Sequence, residues 1–285
     1  MKPSGPGSLL RAKAWLHGGG ALLSLLLCAC QAPSEALEQL ASDHGHRVEV
    51  LDADPFSLML AVPRQAPNTS RLRLYIEGDG HAWATPTQPS LDPSPKNLLL
   101  AGLAVSDPAP AVYLARPCQF VDSPTCSVAL WTDHRFAPSV LASLSRALDI
   151  LKTRYGNRDF ELVGYSGGAA LALLLAAQRT DVAQVQTLAG NLSPRLWVHA
   201  MQLAPLTGSL DPLDYTARLA HVPQRHWVAA DDRVVPAALA EKWRHALGPD
   251  ACVELRIIPH ARHDAGLEQS WRQGRNQSID CRKQD

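Results

Sequence analysis

Three observations predict an α/β fold, a mainly parallel sheet with helices on both faces. Eight short apolar segments have strand character. Helical patterns separate the later ones, and several strand-like segments end in Gly, Asp or His where a turn must follow. A chain of 285 residues can bury a core of that size.

The elements follow in order. His46–Leu51 and Ser57–Val62 flank the turn signal Asp52-Ala-Asp-Pro55 and predict an antiparallel hairpin. Arg71–Glu77 runs into Gly78-Asp79-Gly80, and Ala111–Ala115 reads as a short buried strand. Phe160–Tyr165, Gln184–Ala189, Arg225–Ala230 and Val253–Ile258 complete the set. Helices are predicted near Asn97–Ala104, Pro138–Tyr155, Ala169–Gln178, Ala237–Leu247 and Gly266–Gln273. One or two short helices are expected between Asn191 and Arg218, a stretch too short for a large lid.

The most informative segment is Phe160-Glu-Leu-Val-Gly-Tyr-Ser-Gly-Gly168. It sets Ser166 between Gly164 and Gly168, after a strand and before a helix, the layout of a nucleophile elbow. Side chains at the flanking positions would collide with the neighbouring strand and helix. The helix start aims free N–H groups and its positive dipole end at the place where an oxyanion would form. A serine hydroxyl is a weak nucleophile at neutral pH, so a base and an orienting acid must follow, in the order serine, acid, histidine.

From Arg47 to the C-terminus these elements resemble the alpha/beta-hydrolase fold, an eight-stranded, mainly parallel sheet. The resemblance implies a nucleophile after the fifth strand, an acid after the seventh and a histidine after the eighth. His263 matches the apolar-Pro-x-x-x-His ending of that family, with His260 as the alternative. Asp232 matches its Asp-x-x-Val-Pro turn, with Asp231 as the alternative, free to cap a helix or face solvent. A metal set at His260, His263 and Asp264 lacks a further ligand at a suitable spacing. The fold implies an oxyanion hole made by the Gly167 N–H and one N–H from the loop Glu77–Trp83. Glu77-Gly78 replaces the more familiar His-Gly opening, which leaves Asp79, Gly80 and Gly78 as donors, Asp79 preferred. A Gly-Asp-Gly hairpin or calcium turn is the other reading of that loop. His81 and Trp83 either line the pocket or pack the loop. Arg116-Pro117-Cys118 is expected at the mouth of the site, and Trp131, Trp197 and Trp227 in the core or at its rim.

The N-terminus carries Lys2, Arg11 and Lys13, an apolar stretch Ala21–Leu27, then Leu27-Cys28-Ala29-Cys30. It reads as a secretory signal whose apolar stretch is too short for a comfortable transmembrane helix. It resembles a bacterial lipobox, with Leu27 three positions before Cys30 and small Ala29 just before it; bulky Leu27 makes Cys28 the poorer acceptor. This implies a signal peptide over 1–29, lipidation at Cys30, a linker over 30–45 and an alpha/beta-hydrolase domain over 46–285. Gln31, rather than Asp, implies the outer membrane facing the periplasm. Export leaves Cys118, Cys126, Cys252 and Cys281, an even number in an oxidising compartment. Of the three pairings, proximity favours Cys118–Cys126 and Cys252–Cys281, and no C-x-x-C spacing supports zinc.

The 27 basic and 27 acidic residues balance, so no basic surplus points to nucleic acid. The expected activity is hydrolysis of a small acylated substrate, carboxylic esters by default, with no metal or organic cofactor. Thioester and peptide substrates use the same groups. A non-catalytic binding lipoprotein is the alternative class; a defective triad member would favour it, and none is missing.

Overall fold

The computed structural model describes residues 32–281. The signal segment and Cys30 lie outside the described residues. Within them, eight strands form one sheet: β1 (His46–Ala53), β2 (Phe56–Pro63), β3 (Arg71–Ile76), β4 (Ala111–Leu114), β5 (Asp159–Tyr165), β6 (Val182–Leu188), β7 (Gln224–Ala229) and β8 (Val253–Ile258). Their order across the sheet is β1-β2-β4-β3-β5-β6-β7-β8. β2 is antiparallel to both neighbours and the other pairs are parallel.

Helices cover both faces. α3 (Pro138–Tyr155), α4 (Gly168–Gln178) and α7 (Ala238–Leu247) pack Leu144, Leu148, Leu173 and Trp243 against one face, where Leu72, Leu74 and Ile76 point. α1 (Pro33–Asp43), α2 (Leu99–Val105) and α8 (Glu268–Gly274) cover the other with Leu37, Leu103 and Trp271, against Tyr75 and Tyr113. Alternation along β3 thus supplies both cores. α4 is apolar all round and almost wholly buried, as a helix next to a site at the centre of a sheet must be.

Two regions differ from expectation. Residues 33–43, expected within a linker, form α1 and belong to the domain. Pro33 opens the helix, Leu37 and Ala41 bury one stripe at a spacing of four, and Gly45 turns the chain into β1 at a positive φ of 72°. The stripe is too short to stand out in a polar sequence, and only the packing partner makes the helix worthwhile. A small ribbon, Trp83–Thr85 with Gln88–Pro89, also extends the loop after β3.

The expected short helices between β6 and β7 are α5 (Pro194–Ala200), a 3₁₀ turn Pro212–Tyr215 and α6 (Thr216–Leu219). Cys118–Cys126 and Cys252–Cys281 are paired as proximity favoured. The second bridge joins Arg225 in holding the C-terminal segment: its guanidinium donates to the carbonyls of Gln277 at 2.8 Å and Ser278 at 2.9 Å.

Candidate active site

The topology fixes where a site can form. β3 pairs with β5, yet the chain leaves β3 toward β4 on one side and β5 toward β6 on the other. The loops after β3 and β5 diverge and open a crevice at the carboxyl ends of the strands. The register Ile76↔Gly164 sets the loop beginning at Glu77 directly against the elbow.

At the elbow Ser166 has φ of 50°, a left-handed conformation that a non-glycine residue holds only when its surroundings impose it. Those surroundings are close. A Cβ on Gly164 would come within 2.5 Å of the Gly168 carbonyl oxygen, and one on Gly168 within 2.2 Å of the Ile76 oxygen. The Ser166 N–H donates to the Leu188 carbonyl at 3.1 Å, and its own carbonyl accepts from Asn191 N–H at 2.9 Å. Backbone bonds to β6 and the loop after it therefore lock the turn.

His263 and Asp232 meet this serine. His263 Nε2 lies 2.9 Å from Ser166 Oγ, and Nδ1 lies 2.8 Å from Asp232 Oδ2. A carboxylate only accepts, so Nδ1 carries the proton toward Asp232 and Nε2 is free to accept from the hydroxyl. Asp232 is itself fixed: its other oxygen accepts the Val234 and Val235 N–H groups, each at 2.8 Å. Tyr165 donates its hydroxyl to the His263 carbonyl at 3.1 Å. The alternatives lie apart from Ser166. The His260 side chain is 96% exposed and its Nδ1 is 3.9 Å from exposed Asp231.

The loop facing the elbow is held by side chains. Gly78 N–H donates to Glu77 Oε1 at 2.7 Å, which removes Gly78 from the candidate donors. The N–H groups of Asp79, Gly80 and Gly167 make no hydrogen bond to an acceptor among the described residues. Asp79 is not a calcium ligand here: Arg116 takes one carboxylate oxygen and Arg135 the other, at 2.6 Å. Burial alone would raise this carboxyl, and the two guanidinium groups override it and hold it below its ordinary value. The clamped carboxylate abuts Gly167, where a Cβ would stand 2.2 Å from Asp79 Oδ1.

Arg116 is buried, not at the mouth as expected, and also donates to the Arg135 carbonyl. Gln119 donates to the Gly78 carbonyl at 3.0 Å. Glu77 is buried at the floor of this region, accepting the Tyr113 hydroxyl at 2.8 Å. Burial pushes its carboxyl up to about 7, against the Gly78 N–H, Tyr113 and Arg116. Sequence reasoning did not find Arg135, Tyr113 or Gln119. No motif marks them, because they act across 36 to 56 residues of chain.

Above the serine lies a cavity of about 460 Å³. His81 and Trp83 line it, with Trp197 from α5 and Val234 from the loop after β7. Trp197 is therefore a rim residue, its indole donating to the Val234 carbonyl at 2.7 Å. Trp131 and Trp227 are buried.

No family model matches the chain, and no curated protein does. Solved structures do. Est1E from Butyrivibrio proteoclasticus is 14% identical at TM-score 0.55, covering 79% of this chain and 96% of that one. An alpha-beta serine hydrolase homologue from Coxiella burnetii is 16% identical at 0.55, covering 81% and 97%. The esterase Pf2001 of Pyrococcus furiosus is 12% identical at 0.56, covering 81% and 91%. At such identities the likeness speaks to architecture, and with the strand order described above it shows that this chain has the alpha/beta-hydrolase fold.

Proposed function

We propose that the protein is a serine hydrolase that cleaves carboxylic esters through an acyl-enzyme. One observation carries this reading: the unbroken hydrogen-bond relay from Ser166 Oγ through His263 to Asp232, at distances of 2.9 and 2.8 Å. The esterase neighbours favour the same chemistry.

Ser166 Oγ attacks the ester carbonyl carbon while its proton passes to His263 Nε2. Asp232 keeps the imidazole oriented and stabilises the imidazolium. The carbonyl oxygen, now an oxyanion, is held by the Gly167 N–H and by Asp79, with Gly80 beside it. The C–O bond to the leaving group breaks, and the alcohol departs with the proton from Nε2. Water then attacks the acyl-enzyme, gives a proton to Nε2, and the serine recovers that proton as the carboxylic acid is released.

The mature chain is proposed to be lipid-anchored at Cys30 in the bacterial envelope, on the periplasmic side of the outer membrane. The lipobox resemblance and the two disulfides support this. A fluorophosphonate probe tests the nucleophile. It should label the native protein and leave Ser166→Ala unlabelled; a native protein that does not react overturns the reading.

A further inference from the structure

The way the chain reaches the domain has a geometric consequence. β1 runs in the same direction as β3 and β4, since β2 is antiparallel to both β1 and β4. It therefore starts at the end of the sheet opposite the catalytic residues. α1 leads into β1 through the tight turn at His44–Gly45 and packs back along it. Its first residue, Pro33, is thus returned to the catalytic end. The cavities agree: Ala32, Pro33 and Ser34 line a second cavity, of about 420 Å³, with Leu91 and Pro93 from the loop after β3 and Phe120 from the loop after β4.

Only two residue steps separate Cys30 from Ala32. Fully extended they span no more than about 8 Å. The linker expected over 30–45, which would have let the domain stand off, is mostly α1. An acyl anchor on Cys30 would hold the catalytic end of the domain at the bilayer.

The surface is divided in the same sense. Seven large apolar side chains are prominently exposed among the described residues. Trp83, Leu91, Val128, Leu203 and Val234 lie in loops that follow carboxyl ends of β3, β4, β6 and β7. Val50 and Ile257 lie on the edge strands, and the loops at the opposite end of the sheet carry none of the seven. Leu91, beside the start of α1, is 95% exposed. Together with the start of α1 at that end, these side chains suit it to an apolar or interfacial surrounding better than the opposite end. Trp83 also has the apolar body and polar edge suited to a membrane interface.

We infer that the occupant of this surface is the lipid bilayer: with Cys30 acylated, Leu91, Trp83 and Val128 dock on it, and the cavity above Ser166 takes its ester from amphipathic molecules lodged there. The inference rests on the anchoring proposed above.

The test uses the full-length, processed protein in phosphatidylcholine vesicles. Intact mass of the N-terminal peptide reports lipid on Cys30 separately from docking. Docking is read by brominated-lipid quenching of tryptophan fluorescence in the native protein and in Trp83→Phe. A quenched component that disappears in Trp83→Phe is expected. So is its loss when about twenty Gly/Ser residues, roughly 25 Å of mean reach, are inserted after Gln31. In parallel, the insertion and Leu91→Glu should lose most turnover of a vesicle-embedded long-chain ester while keeping that of a soluble short-chain ester. Lipid on Cys30 with no Trp83 quenching overturns docking and leaves anchoring intact. Absence of lipid on Cys30 overturns the anchoring and the docking with it. Quenching without any ester turnover supports docking and removes the hydrolase reading instead.

Discussion

The elbow and the loop facing it are held in place by different means. At the elbow the recognisable features are contiguous in sequence: a strand, a left-handed serine, glycines pressed against backbone, and a helix that starts at once, with Ile76, Leu188 and Asn191 closing around them. The facing loop has a left-handed glycine too, Gly80 at a φ of 63° against the Pro93 carbonyl, but it leans on side chains from elsewhere. Glu77–Gly80 is held by Tyr113, Arg116, Gln119 and Arg135, which reach it from β4 and the loop after it. The oxyanion hole proposed above would thus join one feature recognisable in contiguous sequence to one whose supports come together only on folding.

Breaking the elbow gives the largest effect. Ser166→Ala should lower kcat/KM for short acyl esters by more than about 10³-fold with unchanged circular dichroism, because the relay acts as a unit. Ester turnover that survives the change places the nucleophile elsewhere.

Next come the residues behind the serine. His263→Ala should approach the serine variant, and Asp232→Asn should cost on the order of 10³–10⁴-fold in kcat by releasing the imidazole from its tautomer. His260→Ala and Asp231→Asn should change kcat little, since both side chains are exposed and lie outside the relay. Steady-state kinetics of the four variants separate the pairs; a larger loss in His260→Ala reverses the assignment.

Breaking the facing loop should cost less. Arg135→Gln leaves a polar, uncharged side chain at that position but shortens it and removes half of the Asp79 clamp. Mispositioning one oxyanion donor weakens the transition state and hardly touches the ground state, so kcat should fall about 10²-fold with KM nearly constant. A rise in KM at constant kcat would make Arg135 a substrate-binding residue rather than a positioning one.

The same contrast explains what the sequence made legible. All eight strands and five of the helices are read within a few residues, because α/β alternation writes itself as buried apolar runs separated by amphipathic ones. Ser166, Asp232 and His263 could be named because each closes a strand in a recognisable local pattern. α1 was not legible: its apolar stripe is Leu37 and Ala41, and its stability comes from β1 and α2 rather than from its own residues. The Asp79 clamp was equally hidden. Arg116 looked like a mouth residue because sequence gives no sign that a guanidinium is buried, and Arg135 carries no motif at all.

Changing pH sharpens the comparison at Glu77. Glu77 is neutral or charged depending on a carboxyl that burial has lifted from 4.5 to about 7. The folded protein therefore keeps a proton there that the unfolded chain releases above its ordinary value. Below that value both states are protonated and the contribution to stability is fully present. Between about 4.5 and 7 the unfolded chain binds fewer protons, so stability falls as pH rises, and it levels off once the folded carboxyl has ionised. Integrated over that window the loss is on the order of 3 kcal/mol. Glu77→Gln keeps an acceptor for the Gly78 N–H and does not titrate, at the cost of reorienting the Tyr113 hydroxyl. Denaturant unfolding at pH 5 and pH 8 should show the variant losing ground at the lower pH and gaining on the native protein at the higher. Parallel pH dependences in the two proteins would mean that Glu77 is already ionised at pH 5, and that the loop is held by a charge at both of its acidic residues.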